Sequence, residues 1–159
     1  MMKYYCFIIF SAISLEIFSK LALAQTSITI NNVEINWVRY KTTVDQTNFT
    51  IRSTLPGVGI TNSWLGVGLN NNARMNGADV FICRNSPSLQ WIRHYITSGY
   101  QISLKDVNPT FGLSNSAVTV NSGALQCSFT VNNDIAYMNN VDFTQAFLII
   151  AFGSGNFIK

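Results

Sequence analysis

The chain has 159 residues, of which ten are basic, seven are acidic and one is histidine, for a formal charge of +3. The basic residues are scattered singly along the sequence, whereas nucleic-acid binding needs them clustered on one face. With one histidine and no carboxylates paired at close spacing, the sequence also lacks the nucleophile and base that hydrolysis or group transfer requires.

The first 24 residues have the pattern of a secretory signal peptide. A lysine precedes an apolar run over residues 4–15, and residues 22–24 (ALA) form the small-x-small triplet that signal peptidase accepts. A membrane anchor is the alternative, but Glu16 and Lys20 interrupt the apolar run before the roughly 20 residues that a spanning helix needs. We therefore predict cleavage after this triplet and a secreted domain over residues 25–159 without a membrane span.

The predicted mature segment has the composition of a many-stranded antiparallel fold. β-branched and aromatic residues are abundant, and clusters of Gly, Asn and Ser recur at short intervals. Residues 33–39 alternate apolar and polar side chains, as a half-buried strand requires, and residues 70–72 and 132–134 have turn composition. We predict two packed sheets built from about ten strands, at residues 27–30, 33–40, 48–53, 64–69, 78–84, 90–97, 100–104, 117–120, 124–131 and 146–152.

Two features point to an extracellular protein. Cys6 lies in the leader, so Cys83 and Cys127 remain as an even pair in an oxidising compartment. We interpret this pair as a disulfide, since a zinc site needs further Cys or His ligands at short spacing and His94 is the one histidine of the chain. Asn48 begins an Asn-Phe-Thr sequon, which predicts an N-glycan on the surface.

Residues 64–69 (WLGVGL) place Gly66 and Gly68 on the same face of a predicted strand, which is then bare of side chains. Glycines in a strand mark a bend or the close approach of another backbone. The alternative is that they make room for a flat ligand. The sequence leaves both interpretations open.

Residues 64–69, followed by a short polar loop and by residues 75–80 (MNGADV), resemble the signature of the DOMON family. The family pattern is an aromatic residue, a Gly-x-Gly strand, a loop and a Met-x-Gly-Ala-Asp-Val segment. Weaker similarity extends the resemblance over residues 33–153. The residues that match the motif are Trp64, Gly66, Gly68, Met75, Gly77 and Asp79.

This resemblance implies an all-β, immunoglobulin-like sandwich that carries either a b-type haem or a sugar-like ligand. The pairing of Cys83 with Cys127 is similar to that of DOMON domains in ferric-chelate reductase-like proteins. The resemblance also implies that Asp79 is a buried structural carboxylate, because the family keeps this residue whether or not haem is present.

The haem-binding members use the methionine of the Met-x-Gly-Ala-Asp-Val segment as one axial ligand and a histidine beyond the last strand as the other. Met75 matches the first position, but no histidine follows the last predicted strand. His94, in a middle strand, is a weak candidate for the second ligand, and Lys159 lies near the expected position. Alternatively, Met75 fills an irregular apolar gap and binds no iron.

Three functions follow as hypotheses. The first is a secreted binding module, without catalytic activity of its own, for a small molecule, a glycan or an extracellular protein. The second is a b-type haem domain that transfers electrons and uses Met75 as a ligand. The third is a fragment of a membrane reductase in which a DOMON domain precedes a cytochrome core. We favour the first because the sequence lacks the second haem ligand.

Overall fold

Eleven β-strands make up the regular structure of the residues described by the computed structural model. These residues are 5–8, 25–41, 43–54, 61–139, 141 and 146–154. The strands are β1 (Tyr5–Ile8), β2 (Gln25–Ile30), β3 (Val33–Lys41), β4 (Asp45–Ser53), β5 (Ser63–Asn70), β6 (Asp79–Asn85), β7 (Gln90–Ser98), β8 (Gln101–Leu104), β9 (Leu113–Asn121), β10 (Ala124–Asn132) and β11 (Phe147–Ser154).

The strands form two sheets in which all neighbours are antiparallel. One sheet has six strands in the order β1-β11-β5-β6-β7-β8, and the other has five in the order β2-β3-β4-β10-β9. The predicted all-β sandwich is therefore confirmed. Among the described residues, no helix has the length and apolarity needed to cross a membrane.

All ten predicted strands are present, and β1 is an additional strand inside the predicted leader. Strand β9 starts four residues earlier than predicted. Its pairing with β10 shifts register between Ser128 and Thr130, and Asn115 has a φ of 51°. This irregularity breaks the alternation of the first half of β9, so its polar residues have the pattern of a turn.

Apolar side chains from both sheets fill the space between them. Phe81 of the six-stranded sheet contacts the rings of Phe49 and Phe129 from the five-stranded sheet, and Phe129 lies 5.4 Å from each of the other two ring centroids. Each of the three side chains is at least 98% buried. Burial of a side chain of this size stabilises the fold by about 1.5–3 kcal/mol.

The disulfide joins the two sheets through this core. Cys83 of β6 is bonded to Cys127 of β10 across a Cα–Cα distance of 6.2 Å, and both residues are fully buried. The predicted pairing is confirmed. Because the bonded residues belong to different sheets, the bond holds the sandwich closed at the level of its core.

The β3–β4 hairpin ends in an ion pair between Arg39 and Asp45. The guanidinium donates two hydrogen bonds to the carboxylate, at 2.9 and 2.6 Å, and the amide of Asn133 donates a third at 2.8 Å. These bonds hold the pKa of Asp45 below its ordinary value, and the bond from Arg39 is the largest cause. Burial opposes the shift. A carboxyl of lowered pKa stabilises the fold at neutral pH, and this contribution is lost as the pH falls through the folded-state pKa.

We therefore expect Asp45→Asn to lower the free energy of unfolding by about 0.5–1 kcal/mol at pH 7, the usual range for a part-exposed pair. The difference from the wild type should shrink as the pH falls below about 4, where the wild-type carboxyl itself becomes protonated. Urea unfolding at a series of pH values measures this difference. A difference that stays constant between pH 7 and pH 2 would contradict the assigned role.

Candidate functional site

The candidate site lies on the outer face of the six-stranded sheet, which is turned away from the five-stranded sheet. Successive side chains of a strand point to opposite faces. Leu65, Val67, Phe81 and Cys83 point into the inter-sheet core, so their neighbours along β5 and β6 point outward. The strand registers align the outward residues in three rows, Trp64–Arg84–Trp91, Gly66–Ile82–Arg93 and Gly68–Val80–Tyr95.

This outer face is apolar, although the solvated face of an antiparallel sheet is normally polar. Its side chains form a second hydrophobic cluster, separate from the inter-sheet core. We call it the outer cluster. Its buried members are Trp64, Ala78, Val80, Ile82, Tyr95 and Ile149, and its partly buried members are Met75, Trp91, Ile102 and Ala151.

Three side chains of β7 give the outer cluster a polar and cationic rim. The guanidinium of Arg93 lies 4.5 Å from the centroid of the Trp91 ring, within the range of a cation–π contact. The rings of Trp91 and Tyr95 lie 6.4 Å apart. Burial raises the pKa of the Tyr95 hydroxyl, and a hydrogen bond from Arg93 partly offsets that shift. At neutral pH the rim therefore carries a neutral phenol beside a permanent positive charge.

Gly66 and Gly68 are packed under apolar neighbours of this face. A Cβ atom added to Gly68 would lie 3.2 Å from both Ile149 Cβ and Val80 Cγ2, and one added to Gly66 would lie 3.5 Å from Ile82 Cγ1. The neighbouring strands therefore pack closely around Gly68, whereas a Cβ at Gly66 would make ordinary van der Waals contacts. The structure favours close packing over open space for a flat ligand at Gly68.

Met75 lies in the loop between β5 and β6, which is held by side-chain hydrogen bonds at both ends. The Asn70 amide donates to the carbonyls of Arg74 and Asn76, at 2.7 and 3.0 Å, and the Thr97 hydroxyl donates to the carbonyl of Met75. The Met75 side chain packs against the outer cluster. This position matches the interpretation of Met75 as a flexible apolar filler.

Gly77 ends the same loop with a φ of 78°, in the left-handed region that favours glycine. Its amide donates to the carbonyl of Thr97 at 2.9 Å. The loop is therefore tied to β7 by backbone as well as by side chain.

On the opposite face of the sheet, Asp79 is the centre of a buried ionic network. Its Oδ1 lies 2.9 Å from His94 Nε2 and forms an ion pair with Lys105 Nζ at 3.0 Å, and its Oδ2 accepts from the backbone amide of Asn139 at 2.6 Å. His94 Nδ1 lies 2.9 Å from the carbonyl of Phe111, and because a carbonyl only accepts, Nδ1 donates this bond. Neither Asp79 nor His94 is more than 1% exposed.

A family model described as DOMON domain matches residues 33–153, well over half of the chain. The chain belongs to the DOMON family. The matched region runs from the first residue of β3 to the penultimate residue of β11 and includes strands of both sheets. No curated protein and no solved structure matches the chain significantly.

For a DOMON domain that binds haem through a Met/His pair, Met75 and His94 would have to face each other. They lie on opposite faces of the six-stranded sheet, since Met75 packs on the outer cluster and the His94 ring contacts Phe81 in the inter-sheet core. Both ring nitrogens of His94 already have partners. These two residues therefore do not fit a haem iron. Lys159 lies outside the described residues.

The described residues also contain no group of three or more Cys, His, Asp or Glu side chains arranged to hold a metal ion.

The sequence analysis did not single out the rim residues Trp91, Arg93 and Tyr95 of this DOMON domain. Period-two alternation along β7 places them on one face and His94 on the other. The alternation alone does not decide which face turns outward. Cys83 supplies the missing direction, because its side chain must point toward the other sheet to reach Cys127.

Proposed function

We propose that this DOMON domain is an extracellular binding module that takes a small ligand or a glycan on the outer cluster. The observation that carries the proposal is a partly exposed Trp91–Arg93 pair beside the buried rings of Trp64 and Tyr95. Binding sites for small ligands combine an apolar, aromatic lining with a few polar groups that fix orientation. The outer cluster and its rim have this composition.

The extracellular part of the proposal is supported by the disulfide, because such bonds persist in oxidising compartments. An N-glycan on Asn48 is also part of the proposal. The Asn48 side chain is exposed on the outer face of the five-stranded sheet. A glycan there projects away from the outer cluster and leaves the proposed site open. A mass shift on enzymatic removal of N-glycans, absent in Asn48→Gln, tests this modification.

We expect Trp91→Ala to weaken binding of the best ligand from a panel of oligosaccharides by about tenfold or more, equivalent to about 1.4 kcal/mol. The reason is that the substitution removes the exposed aromatic surface of the site and the ring that supports Arg93. Isothermal titration calorimetry on the mature domain measures the affinity, and a circular-dichroism melt verifies that the variant is folded.

The control for this substitution is Tyr40→Ala. Tyr40 is 38% exposed at the end of β3, on the five-stranded sheet. Its removal should leave the affinity unchanged. If Trp91→Ala binds as well as the wild type, the ligand site lies elsewhere and the proposal fails.

A further inference from the structure

We infer that the outer cluster selects saccharides that carry a carboxylate, such as uronic acids, with Arg93 as the residue that receives the acid group. This inference rests on the proposed function and deepens it to a class of ligand. It starts from the distribution of charge over the two outer faces of the sandwich.

Two arginines lie next to each other on the outer face of the six-stranded sheet. Arg84 is opposite Trp91 in the β6–β7 register, and Arg93 is opposite Ile82. The two arginines therefore occupy diagonal positions on neighbouring strands. Both oppose the rise in the pKa of the Tyr95 hydroxyl that burial causes. None of the described residues that point outward from β5, β6, β7, β8 and β11 is acidic.

The outer face of the five-stranded sheet differs in this respect. Arg52 of β4 is directly opposite Glu34 of β3, so its charge has an acidic neighbour in the register. Side chains around this pair, such as Asn36 and Thr50, are polar. The cationic aromatic character is therefore specific to the outer cluster and is complementary to an anionic ligand.

The setting of Arg93 fits a planar carboxylate. Its guanidinium lies over the Trp91 ring, and this contact restricts its orientation before any ligand arrives. A guanidinium has five N–H donors, so donors remain for a bidentate bond to a carboxylate in its plane. Trp91 beside it is partly buried, and its remaining exposed apolar atoms offer a surface for the C–H face of a sugar ring.

The test uses uronic-acid oligosaccharides, each paired with its carboxyl-reduced form, which has the same ring and linkage without the charge. Calorimetry on the mature domain should show at least tenfold tighter binding of the best acidic member than of its reduced partner. Added salt should weaken binding of the acidic form alone. Arg93→Gln should abolish the preference, so that the acidic and the reduced forms bind with equal affinity.

The matched control is Arg52→Gln, which removes the same charge from the opposite outer face and should leave both affinities unchanged. Equal affinity for the acidic and reduced forms, with binding still dependent on Trp91, would overturn this inference and leave the proposed function intact. A preference for the acidic form that persists in Arg93→Gln would also overturn this inference and leave the proposed function intact. Failure of every saccharide, charged or neutral, to bind would overturn this inference together with the glycan part of the proposed function.

Discussion

Asp79→Asn is expected to lower the free energy of unfolding by about 3–5 kcal/mol, the range found when one partner of a buried ion pair is removed. The carboxylate is fully buried, lies 2.9 Å from His94 Nε2, forms an ion pair with Lys105 and accepts a hydrogen bond from the backbone amide of Asn139. An asparagine side chain keeps the shape but carries no charge and has one acceptor oxygen instead of two. Lys105 therefore loses its ion-pair partner, and the network loses an acceptor. Chemical denaturation of the protein measures the loss.

The control for Asp79 is Asp134→Asn. Asp134 is exposed, and its Oδ1 accepts from the amide of Ala136 at 2.9 Å, a bond that asparagine also makes. The same chemical change there should alter stability by less than about 0.5 kcal/mol. A double-mutant cycle with Lys105→Gln then isolates the ion pair. Coupling near zero, or a loss at Asp79 no larger than at Asp134, would contradict the structural role of the network.

The strands of this fold could be predicted from local sequence because each has a clear pattern. In β3, Val33 and Ile35 are fully buried while Glu34 and Asn36 are not, as the alternation predicts. The prediction missed β1 and the first three residues of β4, and it was also incomplete at β9, where the irregular pairing near Asn115 disrupts the alternation. Local pattern thus identifies strands well wherever the ladder is regular.

The ionic network could be predicted only in part. The family resemblance implied that Asp79 is a buried structural carboxylate, and the structure places it fully buried. Its partners His94, Lys105 and Asn139 follow 15, 26 and 60 residues later in the sequence, and no motif links them. They meet because β7 pairs with β6 and because the loops after β8 and β10 return to the same place. Contacts of this kind depend on topology, which spacing along the chain does not encode.

The outer cluster could likewise be predicted only in part from the sequence. Trp64 and the two strand glycines were recognised as a motif, but the residues that complete the face come from four other strands, β6, β7, β8 and β11. The two candidate haem ligands could not be judged without that topology either, because a strand pattern gives relative direction only. Once Cys83 defines the inward face of β6, the register places His94 inward, on the side opposite Met75.

Removal of the disulfide is the second substitution with a large expected effect. Cys83 and Cys127 are 44 residues apart, and in the chain-entropy model a loop of that length corresponds to about 4 kcal/mol of stability. The double variant Cys83→Ala, Cys127→Ala should lose an amount of this order. The free energy of unfolding of this variant should also fall more steeply with urea concentration, because the unfolded chain without the cross-link expands and exposes more surface.

Treatment with a reductant distinguishes the contribution of the covalent cross-link to stability from that of the packing of the two sulfur atoms. Dithiothreitol, added during unfolding and refolding, should lower the wild type to within about 1 kcal/mol of the alanine variant, since both then lack the covalent bond and differ by small buried atoms. The alanine variant itself should not respond to the reductant. The bond joins β6 to β10, so its loss acts on the contact between the two sheets. Spectroscopic signals from Phe81 in the core and from Trp91 on the outer face should therefore change in a single unfolding transition. If the wild type keeps its full stability after complete reduction, hydrophobic packing between Phe49, Phe81 and Phe129 suffices to hold the sheets together, and the bond contributes little to the fold.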